Sequence, residues 1–238
     1  MPRIKDGIFS GFPRVYVLAL NFINDRLAYI DENTITEFIE EYEKENKLTM
    51  GEIWYFPIMI KVVIIQYIDK LSEEIYCQIN SLEKALDIYS KSLEKKNINP
   101  LIKDKDVDKE TILKLLTILK DTGKDDEKIT LELKELVKSI EVNSVLNEIN
   151  IYKKENLRNM LLSNSVNSLI EISKINYRYI FERVSIVEKI LSKDCFYNQM
   201  DFQSKDQYRR VISEISLKND IRESYIAEKA MKCKEVSE

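Results

Sequence analysis

Thr49-Met50-Gly51-Glu52-Ile53-Trp54-Tyr55-Phe56-Pro57-Ile58-Met59-Ile60-Lys61-Val62-Val63-Ile64-Ile65-Gln66-Tyr67-Ile68 is the stretch that decides the fold. Thr49 and Glu52 have the spacing of a capping box, in which each side chain satisfies the other's backbone N–H at a helix start. Behind them Ile53, Trp54, Phe56, Met59, Ile60, Val63, Ile64 and Ile68 make a helix apolar on nearly every side, as expected where other helices surround it. Ile53 to Ile68 is therefore expected to be the most buried helix of the chain. Pro57 should mark its first turn or kink it. With Lys61 and Gln66 inside it, the run falls short of the roughly 18 to 20 apolar residues that a membrane span needs. A core helix is the expectation, and no transmembrane segment.

Outward from this run the chain reads as further helices. Phe12-Pro13 opens one, with Val15, Leu18, Ala19, Phe22 and Ile23 along one side. Thr34-x-x-Glu37 looks like a second capping box, followed by Ile35, Phe38, Ile39 and Tyr42. Ile75, Ile79, Leu82, Leu86, Tyr89 and Leu93 alternate steps of four and three, a seam suited to a bundle. Ile112, Leu115, Leu116 and Leu119 mark a short helix, and Ile129, Leu133, Leu136, Val137 and Ile140 another apolar stripe that runs on towards Leu157. Helices near Tyr177–Leu191, Lys205–Leu217 and Ile221–Lys234 complete the series. No segment shows the period-two alternation of a half-buried strand. The class is all-α: a multi-helix bundle with one long central apolar helix and no sheet. Residues 1–238 are read as one helical domain, and the loop near 97–109, around Asn99-Pro100, is where two subdomains would join.

Composition narrows the function. The 238 residues include only 4 Gly and 4 Pro, which suits long helices with few tight turns. With 37 basic against 41 acidic residues the net charge is −4, which argues against a nucleic-acid partner. The chain has no histidine, so Ser-His-Asp and Cys-His chemistry cannot be built from it. Cys77, Cys195 and Cys233 are far apart and odd in number, the pattern of reduced thiols rather than of a disulfide frame or a zinc site. Asp104, Asp106 and Asp108 lack the glycine and glutamate of a calcium loop, since Lys109 and Leu115 stand at those positions. The first residues, with Lys5 and Asp6, do not read as a signal peptide. No metal or cofactor is expected.

Between Asn159 and Arg210 lie an Asn/Ser cluster (Ser163, Asn164, Ser165, Asn167, Ser168), then Phe181-Glu182-Arg183-Val184-Ser185-Ile186-Val187-Glu188, then Met200-Asp201-Phe202 with Lys205-Asp206-Gln207-Tyr208-Arg209-Arg210. Together with Phe12-Pro13-Arg14-Val15-Tyr16-Val17-Leu18-Ala19-Leu20 and Leu48 to Met59, these strings resemble the soluble region near the N-terminus of cyclic β-1,2-glucan synthases. The likeness runs from about Gly11 to Lys232 and is loose between Ser72 and Asn150. Asp194 to Asn198 departs from the family's Pro/Gly-containing loop.

The resemblance implies a cytoplasmic helical region at the inner face of the membrane. In the family it precedes membrane spans, a UDP-glucose-dependent glucosyltransferase domain and phosphorylase-like domains. An excised, non-catalytic scaffold that packs against the remaining domains of a parent synthase is the expectation. The alternatives are a module that holds β-glucan and an independent helical adaptor.

The candidate structural or docking residues are Glu52, Trp54, Asn164, Asn167, Ser168, Glu182, Arg183, Asp201, Tyr208 and Arg209. Asn164, Asn167 and Ser168 share one helix face, suited to close contacts between helices or to a glycan. Glu182 with Arg183, and Asp201 with Arg209 or Arg210, are read as ion pairs at helix junctions. Paired catalytic carboxylates are not suggested by any cleft signal.

Overall fold

The computed structural model describes residues 1–95, 107–121 and 144–237. Among the described residues there are ten helices and no strand. They are α1 (Arg14–Asp25), α2 (Glu32–Glu45), α3 (Met50–Lys95), α4 (Lys109–Asp121), α5 (Ser144–Glu171), α6 (Tyr177–Val184), α7 (Ile186–Leu191), α8 (Cys195–Gln199), α9 (Phe202–Asn219) and α10 (Glu223–Ser237). The chain divides into two compact units, one of residues 1–66 with 163–238 and one of residues 67–162. Both divisions fall inside helices, α3 and α5. The stripe at 129–140 and most of the loop expected at 97–109 lie outside the described residues.

The first unit is built on the apolar faces of α1, α2 and the start of α3. Phe22, Phe38 and Phe56 come one from each helix, with ring centroids 5.0 to 6.0 Å apart. Around them Val15, Ala19, Ile23, Ile35, Ile39, Ile53, Ile60, Val63 and Ile64 are buried, together with Ile180, Phe181 and Val184 of α6. Side chains of that size each gain about 1.5–3 kcal/mol from leaving water, which is what fixes these faces inward.

The helix starts divide between expectation and correction. The box at the head of α3 forms as read: Thr49 N–H donates to Glu52 Oε2 at 2.9 Å and Glu52 N–H to Thr49 Oγ1 at 3.2 Å. In α2 the cap is Asp31, not Thr34. Its carboxylate accepts from Thr34 N–H at 2.7 Å, and Thr34 Oγ1 accepts from Asp31 N–H, so Thr34 is the far half of the box. The helix read across Tyr177–Leu191 breaks at Ser185, which ends α6 and caps α7 through its hydroxyl. Pro57 lies within α3.

The expectation that Ile53–Ile68 is covered all round is corrected. Ile53, Phe56, Ile60, Val63 and Ile64 are buried, but Tyr55, Ile58, Val62 and Ile65, at helical spacing on the other face, are exposed. The first unit covers this helix on one side only. The helix also continues well past Ile68: Met50–Ser92 holds an 18-residue window of mean hydropathy 1.3, 39% of it buried. Among the described residues α3 is thus the one helix long and apolar enough, by length and composition alone, to cross a membrane.

In the second unit Ala85 and Ile88 of α3 pack with Ile112, Leu115, Leu116 and Leu119 of α4. Asp108 accepts from Thr111 N–H at 2.7 Å at the head of α4. Of the seam expected along Ile75, Ile79, Leu82, Leu86, Tyr89 and Leu93, Tyr89 packs against this cluster while Ile79, Leu82 and Leu86 are exposed; the buried line is Leu71, Ser81, Ala85, Ile88 and Ser92.

Candidate functional site

Helices α6 to α9 gather the polar residues of the C-terminal motifs around one buried carboxylate. Val187, Glu188 and Leu191 form the inward face of α7, so Glu188 enters the apolar interior with its neighbours. From α9, Lys205, Arg209 and Ile212 face inward in the same way. Arg209 Nη2 and Nε donate to Glu188 Oε2 at 2.7 and 2.9 Å. The Tyr197 hydroxyl donates to the same oxygen at 2.8 Å, and Lys205 Nζ stands 3.4 Å from Glu188 Oε1. Glu182 Oε1 lies 3.5 Å from Arg209 Nη2. Two carboxylates and two cations leave the cluster neutral. The guanidinium is held between the rings of Phe181 and Phe202, 5.0 Å from each centroid. Trp54 stacks on Phe181 at 4.6 Å and meets Phe202 edge-on. Burial and the bond to Glu188 push the Tyr197 phenol up, so it stays a proton donor to the carboxylate.

Several expected pairings are replaced. Glu182 turns to Arg209, while Arg183 lies exposed with Nε 3.3 Å from Glu40 Oε1. Asp201 meets neither arginine: it caps α9, accepting from Ser204 N–H at 2.9 Å, and Arg210 pairs with Asp206. Tyr208 is half-exposed, edge-on to Tyr197.

The Asn/Ser face has a different task. Leu27 and Ala28 link α1 to α2 with φ of 49° and 59°, a left-handed conformation that costs side-chain-bearing residues about 1–2 kcal/mol each. Their carbonyls are held from α5: Asn164 Nδ2 donates to Leu27 O at 3.0 Å and the buried Ser168 hydroxyl to Ala28 O at 2.6 Å. Asn167 is exposed and takes no part in this brace.

At the head of α3 the fully buried Glu52 receives Arg14 Nε and Nη2 at 2.8 and 2.6 Å. Met50 N–H donates to Glu223 Oε2 at 2.7 Å, and burial pushes the Glu223 carboxyl up. An open cleft of about 450 Å³ adjoins this junction, lined by Lys47, Thr49, Tyr55, Ser213, Ser216 and Asp220 among others.

Sequence reasoning missed Arg14, Glu188, Tyr197, Lys205 and Glu223. A signal for Glu188 existed: a carboxylate at an inward helical position needs a buried cation.

No protein-family model matches the chain. Over 227 residues, 92% of its length, the chain is 21% identical to the cyclic beta-(1,2)-glucan synthase NdvB of Rhizobium meliloti (strain 1021). It is similar to a fragment of that enzyme. The matched part is 8% of the synthase, and an identity this low suggests relatedness without defining a family.

Proposed function

We propose that the chain is a non-catalytic helical docking module of a β-1,2-glucan synthase, working at the cytoplasmic face of the membrane against the synthase's other domains. The observation that carries this reading is the exposed apolar stripe of Tyr55, Ile58, Val62 and Ile65 on α3, within a chain that is similar to a small part of a glucan synthase. Contiguous exposed apolar surface marks interaction sites. The polar motif residues point the same way, because Glu52, Glu188, Arg209, Asn164 and Ser168 are engaged in internal ties.

The test is to put this chain in place of the matching region of NdvB and measure glucan formed from UDP-glucose. Synthesis should be retained with the native stripe and lost with I58E/V62E/I65E at unchanged helical content. Equal synthesis with both would sink the docking role, as would UDP-glucose turnover by the purified chain alone.

The cleft beside Tyr55 favours a second reading, a module that holds the glucan itself. Heat of binding with β-1,2-gluco-oligosaccharides, abolished by Tyr55→Ala while the melting temperature holds, would select it.

A further inference from the structure

In the second unit, Tyr67, Lys70, Leu71 and Glu74 recur on one face of α3, and Lys154, Leu157, Arg158 and Leu161 at the same spacing on one face of α5. These two faces line a cleft of about 360 Å³. Arg158 Nε donates to Glu74 Oε2 at 2.9 Å. Its Nη1 is buried with no hydrogen-bond partner among the described residues. A guanidinium donor removed from water without an acceptor is costly, and no described residue supplies the oxygen this atom lacks. Lys70 and Lys154 are exposed beside it, and neither has a carboxylate partner among the described residues. The nearby Glu155 is taken by Lys114 and Gln78. With Glu74 as the one acid in its lining, the cleft is left with two uncompensated positive charges.

We infer that this cleft binds a phosphate-class oxyanion. A phosphate monoester carries about −1.5 to −2 charges near neutral pH, which matches the excess, and its oxygens suit the fork of an arginine better than a neutral sugar hydroxyl does. A purely structural Arg158 accounts for the bond to Glu74. It leaves Lys70 and Lys154 on the lining without a carboxylate to balance them among the described residues. The inference is independent of the docking role, since it uses none of the residues of the α3 stripe.

The purified chain is titrated with inorganic phosphate by calorimetry at constant low ionic strength set with chloride. In parallel it is sedimented with phosphatidylcholine vesicles with and without phosphatidic acid. Wild type should respond in at least one arm. K70Q/K154Q, which leaves the Arg158–Glu74 bond in place, should weaken that response about tenfold or more at an unchanged melting temperature. Response to free phosphate assigns a soluble ligand; response confined to phosphatidic acid assigns a lipid phosphate. No response in either arm, or equal responses from wild type and K70Q/K154Q, overturns the site.

Discussion

Arg209 and Arg158 each carry a buried Nη1 without a hydrogen-bond partner among the described residues, yet they differ in everything that faces the rest of the guanidinium. Arg209 is 3% exposed, makes two short bonds to a carboxylate as buried as itself, and lies between two aromatic rings whose faces attract a cation. Arg158 makes one bond, to a carboxylate 42% exposed, and opens on a cleft flanked by lysines. The first is a closed account in which the protein meets the needs of its own charge. The second is open. An unpaired donor is informative only together with its surroundings.

That contrast has its strongest test in stability. Arg209→Ala strands Glu188 in the interior and should destabilise the protein by about 3–5 kcal/mol in urea unfolding. Arg158→Ala leaves Glu74 free to rehydrate and should cost about 1 kcal/mol or less. Similar losses for the two variants would erase the distinction.

Neutral donors sharpen the same point. Ser168→Ala leaves the buried Ala28 carbonyl unpaired beside a left-handed backbone and should cost about 1–3 kcal/mol. Asn167→Ala, on an exposed side chain, should stay within about 0.5 kcal/mol. The pair is checked by melting temperature.

Helix caps come next. Asp31→Ala removes the acceptor of Thr34 N–H and should cost about 1 kcal/mol at neutral pH. The backbone N–H of Thr34 holds the Asp31 carboxyl below its ordinary 3.8. Its contribution is therefore present above pH 3.8 and lost as pH falls through the lower folded value, so wild type and variant should converge in acid.

The smallest effect should have the opposite slope. Burial raises Glu223 above its ordinary 4.5, so its contribution is fully present below pH 4.5 and lost as pH rises through the folded value. Glu223→Gln should gain on wild type as pH rises from acid to neutral. A difference that shrinks instead would show that the bond from Met50 outweighs the desolvation.

Which of these features could be read in advance follows from how local their causes are. The head of α3 was legible because Thr49 and Glu52 satisfy each other within one turn. Asp31 was missed because Thr34 carries a capping signal of its own and only the geometry decides which residue leads. The ion pairs were misassigned for a different reason: Glu182 and Arg183 are adjacent in sequence and so point apart on a helix, while their partners, Arg209 and Glu40, come from distant elements. The exposed stripe on α3 was hidden by hydropathy itself, which records that a side chain is apolar and not whether anything covers it.

The brace on Leu27 and Ala28 also sets a timetable. Its donors, Asn164 and Ser168, follow the link by 137 and 140 positions, so a chain leaving the ribosome makes α1 and α2 long before this brace can form, with only local bonds such as Ala28 N–H to Ile23 O at the turn. Until α5 arrives, the carbonyls of the left-handed link lack the two donors that brace them, and the link relaxes more readily to ordinary backbone. The link between α1 and α2 is thus braced by a helix made more than a hundred residues later, and a chain truncated before residue 164 should be cut by protease at 25–31, where the 238-residue chain stays intact.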